Sequence, residues 1–211
     1  MAVWYKASSL LFLKPAFSVS KTFLKREKGR DFTPKSLTVK HSLWSDPKSH
    51  EDYVTSCSHP GEKIVMDLVD IPQRVYPIGR LDKDTTGLLL LTNDGRLHHQ
   101  LSHPSFDHEK EYDVSVAQPI TEGALRKLAA GLPLMGTKTR PARVRRISQR
   151  RFRIVLQEGR NRQIRRMVRK VGHQVAWLKR IRVGDVRLGQ LPVGSWRHLT
   201  EKEKQDLLKA I

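Results

Sequence analysis

The sequence predicts an α/β domain of the α+β kind, in which a mixed, mostly antiparallel sheet is flanked by helices and loops. Predicted strands outnumber predicted helices, and many of them are joined by short turns. The stretch 88–91 is an uninterrupted run of leucines, as expected of a buried strand. Two strand-like stretches, 142–147 and 152–156, are separated only by a polar connector that suits a hairpin.

The elements before residue 110 are expected to be short. Apolar and β-branched residues predict strands at 53–57, 74–78 and 88–92. Helical spacing of apolar residues predicts a brief helix at 64–69, ended near Pro72, and a helix at 96–102. In the second of these helices Leu97 and Leu101 share one face.

The second half has clearer periodicity. Alternation over 110–116 places Tyr112, Val114 and Val116 on one face of a half-buried strand, and closing strands are predicted at 174–183 and 186–191. Start and stop signals predict a helix over 121–130 that ends at Gly131. Further helices are predicted from an Asn161 cap to Val171, and over 200–208 behind a Thr200/Glu203 capping box.

The positive charge is concentrated in one segment. The chain carries a formal net charge of +19, and residues 138–182 hold 17 basic residues against a single acid, Glu158. Such a cluster repels itself unless a polyanion neutralises it, and nucleic acid is the polyanion that it fits best. An anionic membrane is a weaker match because the segment lacks an apolar face with aromatic anchors.

Residues 1–50 differ from the rest of the chain, with 10 basic and three acidic residues. Their early part vaguely resembles a transit peptide, but we favour a flexible basic arm. We therefore divide the chain into this basic N-terminal segment, 1–50, and a catalytic domain, 51–211. No apolar run approaches the ~20 residues of a membrane span. The single cysteine, Cys57, excludes internal disulfides and suits the cytoplasm.

The stretch 79–95 combines a polar loop, the buried leucine run and a turn. A loop that leads into a buried strand can fix a reactive side chain on a rigid edge. Asp82 and Asp84 are two residues apart, so an extended chain would point both to the same side. Either could be a working carboxylate, although aspartates in glycine-rich loops more often cap turns.

Three blocks of the sequence together resemble the bacterial ribosomal-RNA pseudouridine synthases of the small-subunit-synthase type. The resemblance covers roughly residues 53–211, and the stretch 107–112 is similar to the branch that modifies 23S rRNA. The blocks are Gly79-Arg80-Leu81-Asp82 continuing to Gly95, Lys110-Glu111-Tyr112, and Glu158-Gly159-Arg160-Asn161-Arg162-Gln163-Ile164-Arg165-Arg166-Met167.

The resemblance implies a pseudouridine synthase fold and the isomerisation of a uridine in folded ribosomal RNA, 23S in particular. It implies that Asp82 is the catalytic carboxylate, which attacks C1′ or removes a 2′ proton. Tyr112 would stack under the base and take the C5 proton, and Arg165 would pair with the aspartate. We expect RNA contacts from six further residues: Arg80, Lys83, Arg160, Arg162, Gln163 and Arg166.

The chemistry suits these residue types independently of the resemblance. Breaking a glycosidic bond creates oxocarbenium character at C1′, which an ionised carboxylate can stabilise or trap. A neighbouring guanidinium keeps that carboxylate ionised, and an aromatic ring can hold a flipped base. Isomerisation involves no net redox change or hydrolysis, so we expect no metal and no cofactor. We also infer no obligatory protein partner and no membrane partner, and expect a monomer.

The chain also departs from the family pattern. A Lys-Pro-x-Gly motif normally precedes the position of Tyr53, whereas this chain reads Ser49-His50-Glu51-Asp52. Residues 1–50 also do not resemble the small N-terminal RNA-binding domain that family members often carry. Two rival functions therefore stay open: a non-catalytic RNA-binding or ribosome-assembly protein, and a glycoside hydrolase or nucleosidase that uses Asp82 and Asp84.

Overall fold

The computed structural model describes residues 37–42, 53–54, 63–102 and 108–209. The α-helices within these ranges are α1 Gly95–Ser102, α2 Glu122–Ala130, α3 Gln163–Lys170 and α4 Glu201–Lys209, and a 3-10 helix spans Val65–Leu68. The strands are β1 Leu37–Ser42, β2 Tyr53–Val54, β3 Lys63–Ile64, β4 Tyr76–Ile78, β5 Thr86–Thr92, β6 Lys110–Val116, β7 Pro133–Leu134, β8 Thr137–Lys138, β9 Arg143–Ser148, β10 Arg151–Leu156, β11 Val175–Val183, β12 Val186–Arg187 and β13 Trp196–His198.

Nine of these strands form one sheet, in the order β13-β1-β5-β11-β6-β10-β9, with β4 paired to β5 and β12 paired to β11. The pair β5 and β11 is parallel, and every other described pair in this sheet is antiparallel. The predicted fold class, a mixed and mostly antiparallel sheet with flanking helices, is confirmed. None of the described helices is both long and apolar enough to cross a membrane.

Strand β5 lies in the interior because its two faces serve two different cores. Leu88 and Leu90 pack with residues of α1 and α4, whereas Leu89 and Leu91 pack with Val65 and neighbours around the 3-10 helix. A strand with cores on both sides has no polar face, which explains the uninterrupted leucine run. The loop before β5 is therefore attached to a fully buried element.

The helices α2 and α3 cover one face of β6, β10 and β11. Val114, Phe152 and Ile154 project from the same face of the paired strands β6 and β10 and meet the apolar sides of both helices. Met167 and Val168 of α3 are fully buried in this cluster. The core therefore fixes α3, and with it the arginines at its start, relative to the middle of the sheet.

Several predicted elements are observed with small shifts of their ends. Strand β6 has the predicted bounds, α2 begins after Thr121 and ends at Gly131, and β9 and β10 form the expected hairpin. Only the first two residues of the strand predicted at 186–191 are observed as a strand, β12, and β13 was not predicted. The predicted Asn161 cap of α3 is wrong: Arg162 occupies that position in a left-handed conformation, φ 50°, and makes no side-chain cap.

Strand β1 lies inside the segment 1–50 that the sequence analysis set apart. It pairs with β5, where Leu37 stands opposite Thr92, and with β13, where Thr38 stands opposite His198. It is therefore part of the main sheet. The compact unit that contains the sheet begins at Pro34. Residues 37–42 read Leu-Thr-Val-Lys-His-Ser, an alternating pattern typical of a strand. The basic composition of residues 1–50 as a whole did not indicate this strand.

The capping box of α4 is confirmed, and it joins an ion pair. Thr200 Oγ1 accepts a hydrogen bond from the Glu203 backbone N–H at 3.2 Å, and Glu203 Oε2 accepts one from the Thr200 backbone N–H at 2.9 Å. Arg197 of β13 donates to both Glu203 oxygens at 2.7 and 2.8 Å. The hydrogen bond from Arg197 is the main reason that the pKa of Glu203 falls from 4.5 to about 2.

Replacing Glu203 by Gln is expected to lower the free energy of unfolding at neutral pH by about 2 kcal/mol, because the ion pair with Arg197 is lost while the amide oxygen can still accept the cap hydrogen bond from Thr200. A depressed carboxyl pKa stabilises the fold above the unfolded-state pKa. The difference between wild type and variant should therefore shrink as the pH falls from about 4.5 towards 2. Denaturant titrations across this range measure it, and a difference that does not change with pH would contradict the assignment.

Candidate active site

A cleft of about 540 Å³ opens between the loop before β5, the centre of β6 and β11, and the segment that leads into α3. The three sequence blocks singled out above meet here, although they are far apart along the chain. The cleft-lining residues used below are Arg80, Asp82, Thr85, Lys110, Tyr112, Arg160, Arg162, Gln163 and Arg180.

Asp82 lies in the loop between β4 and β5 and is half-buried in the cleft wall. Its backbone oxygen accepts a hydrogen bond from the Thr85 N–H at 2.9 Å, which closes a turn. The side-chain carboxylate makes no hydrogen bond or ion pair within the described part of the chain. A rigid backbone with an unengaged carboxylate leaves that group available to a ligand in the cleft.

Asp84 is engaged by two arginines at the start of α3. Arg162 donates to both carboxylate oxygens at 2.8 and 2.5 Å, and Arg165 Nε lies 3.1 Å from Oδ2. Arg165 also donates to the Asp84 backbone oxygen. Burial alone would raise the pKa of Asp84, but the two guanidinium groups together lower it below its ordinary value. Arg162, whose backbone is left-handed, thus reaches from the start of α3 to the loop before β5.

Arg165 thus contacts a different acid from the one expected. The family resemblance implies a pair with Asp82, whereas in this structure the guanidinium pairs with Asp84. The Asp82 charge is close enough to act on Arg165: burial lowers the pKa of Arg165, and both aspartates oppose that effect. The two arginines therefore create positive potential beside Asp82 while they hold the loop through Asp84.

Tyr112 lies at the middle of β6, half-buried, and lines the same cleft as Asp82. It stands opposite Ile154 of β10 and opposite Arg180 of β11 in the strand registers. Its position on a central strand fixes the ring in the sheet. The structure therefore brings Asp82 and Tyr112 to one cleft, with Arg165 behind the loop.

The residues expected to contact RNA fall into two groups. Arg80 and Lys83 are exposed, Arg80 in the cleft rim, and Arg166 is half-buried and donates to Asn161 at 2.8 Å. Arg160, Arg162 and Gln163 line the cleft but are also bound within the protein.

Arg160 and Gln163 shape the loop before α3. Arg160 donates to the backbone oxygens of Leu134 and Lys138 at 3.1 and 2.9 Å, which ties it to β7 and β8. The side chain of Gln163 is buried, accepts a hydrogen bond from the Arg160 N–H and donates to Glu158. Their internal bonds indicate that these two residues position the cleft wall.

The sequence reasoning did not identify several polar residues of the cleft, and three of them lie beside the predicted site residues. Lys110 and Arg180 line it from β6 and β11, and the buried Thr85 hydroxyl has no partner among the described residues. The spacing of two between Lys110 and Tyr112 could have indicated a shared strand face. Arg180 gave no such signal, because it is one of many basic residues in its segment.

The described residues contain no group of three or more His, Cys, Asp or Glu side chains that could hold a metal ion. The chemical groups that the cleft does present are one unengaged carboxylate, one aromatic ring and several cations. Such a set can hold a planar, partly anionic ligand and act on an electrophilic carbon.

Comparison with known proteins gives concordant results. The family profile for RNA pseudouridylate synthase matches residues 47–170. The chain is 45% identical over 159 residues to the dual-specificity RNA pseudouridine synthase RluF of Escherichia coli strain K12. The match covers 75% of this chain and 55% of that protein. It is 43% identical over 154 residues to the ribosomal large subunit pseudouridine synthase B of Bacillus subtilis strain 168, covering 70% of this chain and 63% of that protein.

A solved structure agrees with the sequence relatives. The crystal structure of a pseudouridylate synthase superimposes with a TM-score of 0.72 at 32% identity, over 82% of this chain and 73% of that chain. The chain spans just over half the length of the Escherichia coli relative. The profile match, the identities and the shared fold show that the chain belongs to the RNA pseudouridylate synthase family.

Proposed function

We propose that the chain is an RNA pseudouridine synthase that isomerises a uridine in ribosomal RNA, 23S rRNA in particular. The observation that carries this proposal is the Asp82 carboxylate, unengaged by the described residues and facing the same cleft as Tyr112. The names of its relatives, a dual-specificity RNA pseudouridine synthase and a large-subunit pseudouridine synthase, support the substrate class. We expect the protein to act as a monomer in the cytoplasm.

The reaction needs a uridine that has left its helix. In the proposed complex the flipped base lies on Tyr112, which replaces stacking worth about 1–3 kcal/mol. The ribose C1′ then lies beside Asp82, which attacks it or removes a 2′ proton while the N1–C1′ bond breaks. After the base has turned, C5 bonds to C1′ and Tyr112 is placed to take the C5 proton.

The arginine cluster has a clear part in this scheme. Arg162 and Arg165 hold Asp84 and so fix the loop that carries Asp82. Their guanidinium groups also place positive charge near the Asp82 carboxylate. Asp84 is thus a positioning residue, and Asp82 is the residue that meets the substrate.

The two rival functions find less support. A hydrolase or nucleosidase with paired carboxylates would need both acids in the cleft, but Asp84 is bound to two arginines outside its lining. A non-catalytic RNA-binding protein would not require an unengaged carboxylate beside an aromatic ring. Neither rival accounts for the geometry as well as isomerisation does.

Mapping pseudouridines in rRNA from cells with and without the gene tests the proposal. We expect one or a few sites, in 23S rRNA, to lose the modification when the gene is deleted and to regain it with the wild-type gene. An identical pattern of pseudouridines in both strains would contradict the proposal.

RNA affinity is expected to fall steeply with salt because of the basic segment. Between about 50 and 200 mM salt we expect the affinity for an unmodified 23S transcript to fall by about a hundredfold or more. A second concavity, lined by Leu134, Arg166, Arg169 and Lys170, lies on α3 away from the cleft and offers a phosphate contact. The Arg169 side chain is exposed and makes no hydrogen bond or ion pair within the described part of the chain.

Arg169→Gln is expected to make the slope of log affinity against log salt shallower by about one unit, the amount that corresponds to one lost phosphate contact. It should not change the turnover of bound RNA. Arg126→Gln, at an exposed position of α2, is the matched control and should leave the slope as in wild type. Filter binding at several salt concentrations measures both. A flat salt response of the wild type would contradict RNA capture by the basic segment.

A further inference from the structure

Two basic side chains lie at the floor of the cleft beside Tyr112. Lys110 is two residues before Tyr112 on β6, so both project from the same face of the strand. Arg180 of β11 stands opposite Tyr112, and Val183 stands opposite Lys110. All four line the cleft, which places Lys110 and Arg180 next to the ring expected to hold the base.

The partners of these two cations are neutral. Lys110 Nζ donates to the His108 backbone oxygen at 3.3 Å. Arg180 Nε donates to the Leu88 oxygen at 2.8 Å and Nη1 to the Arg80 oxygen at 3.3 Å. Neither forms an ion pair with a described residue, although Arg180 is only 4% exposed.

The neighbouring arginines behave differently. Arg182, two residues further along β11, pairs with Glu109 and Glu111 at 3.0 and 2.9 Å. Arg162 pairs with Asp84. A buried cation without a counter-charge is costly, so its presence in a cleft indicates that an anion is formed or bound there.

The charged surroundings of Lys110 are also mostly positive. Burial lowers the pKa of Lys110, and the Arg180 charge lowers it further. Glu158, the acid at the opposite wall, is already engaged by Arg160 and Gln163. The charged residues that line the cleft around Lys110 are Arg80 and Asp82 from the loop, Arg180 from β11, and Glu158, Arg160 and Arg162 from the segment before α3.

We propose that Lys110, supported by Arg180, stabilises the uracil anion that is released when the N1–C1′ bond breaks. This inference rests on the proposed isomerisation. The bonding electron pair leaves with N1, and the charge spreads over N1 and the two carbonyl oxygens of the base. Attack of Asp82 on C1′ and removal of the 2′ proton both produce this anion, so the assignment holds for either route.

The rest of the reaction balances without a further group. C5 of the anion bonds to C1′; in the first route this displaces the Asp82 carboxylate, and in the second route Asp82 returns the proton to C2′. The C5 proton then leaves, and N1 gains a proton. Lys110 stays protonated throughout and acts by charge, as a donor placed where negative charge develops. Arg180 is a positioning residue, because its bonds to the oxygens of Arg80 and Leu88 fix both ends of the loop that carries Asp82.

The test compares Lys110→Met, Lys110→Arg and the control Lys127→Met in the full chain, with an unmodified 23S rRNA transcript as substrate. Lys127 is exposed on α2, away from the cleft. We expect Lys110→Met to lower the single-turnover rate by about a hundredfold or more, with the dissociation constant within about twofold of wild type. Lys127→Met should match wild type in both.

The pH profile provides the second readout. The wild-type rate should fall at high pH as Lys110 loses its proton, since only the cation can stabilise the anion. In Lys110→Arg this fall should move to higher pH, because a guanidinium keeps its proton there. Rates between about pH 6 and 10 measure it.

Three results would overturn the inference. The first is a normal rate in Lys110→Met. The second is a loss confined to affinity, with a smaller salt slope, which would assign Lys110 to an RNA phosphate. The third is a high-pH limb that does not move in Lys110→Arg, a variant that retains the charge, provided that its melting temperature matches that of wild type. If the wild type forms no pseudouridine, the proposed function fails, and this inference fails with it.

Discussion

Asp82→Asn is expected to reduce pseudouridine formation at least about a thousandfold while RNA affinity stays close to that of wild type. The amide has nearly the shape of the carboxylate but cannot trap C1′ or accept a 2′ proton. Because the Asp82 side chain is unengaged by the described residues, its replacement breaks no hydrogen bond or ion pair with any of them. Single-turnover assays and filter binding on the same transcript separate the two effects.

Asp84→Asn is the informative comparison. Asp82 and Asp84 were equal candidates from their spacing in the sequence, but among the described residues only Asp84 forms ion pairs. Its amide loses the ion pairs to Arg162 and Arg165, so we expect a lower melting temperature and a partial loss of rate. Asp185→Asn, at an exposed turn between β11 and β12, should behave as wild type. A complete loss in Asp84→Asn together with normal turnover in Asp82→Asn would reverse the assignment.

Much of the fold could be predicted because its signals are local. The bounds of β6, the cap and stop of α2, and the capping box of α4 follow from alternation and from residues with specific backbone preferences. The burial of β5 was visible as a leucine run. Strand β1 was missed because its alternating pattern lies in a segment of strongly basic composition. Strand β13 was missed because it has only three residues and its place in the sheet depends on pairing with β1.

The site was less predictable because it depends on which charges meet. Asp82 and Tyr112 could be named from the family blocks, but the sequence did not show that Arg162 and Arg165 converge on Asp84. Arg162 is also left-handed at the start of α3, where the sequence suggested an ordinary Asn161 cap. Lys110 and Arg180 became distinct from the other basic residues only when the packing showed that neither has an acidic partner among the described residues.

Gly87→Ala is expected to produce the largest loss of stability. Gly87 has φ +112°, and a Cβ added there would lie 2.2 Å from the Arg180 backbone oxygen. The strained conformation and the overlap with β11 should together lower the free energy of unfolding by about 3 kcal/mol or more. For a chain of this size that corresponds to a melting temperature about 10 °C lower.

Gly123→Ala is the matched control, because Gly123 lies in the first turn of α2 and its nearest atom would be 3.9 Å from the new Cβ. Alanine is the better helix former, so this variant should equal or exceed wild type in stability. Thermal unfolding of the three proteins measures the difference. An unchanged melting temperature in Gly87→Ala would contradict the close approach of β5 and β11.

The same substitution should also lower the rate in molecules that remain folded. Gly87 follows the loop of Asp82 and is paired with Arg180, whose guanidinium holds the Arg80 oxygen. Moving β11 away from β5 therefore displaces the carboxylate from C1′, and small misplacements are costly in catalysis. Glu203→Gln, which is also destabilising but remote from the cleft, should keep the wild-type rate well below its melting temperature. Equal rates in both variants would show that the contact between β5 and β11 supports the fold without positioning Asp82.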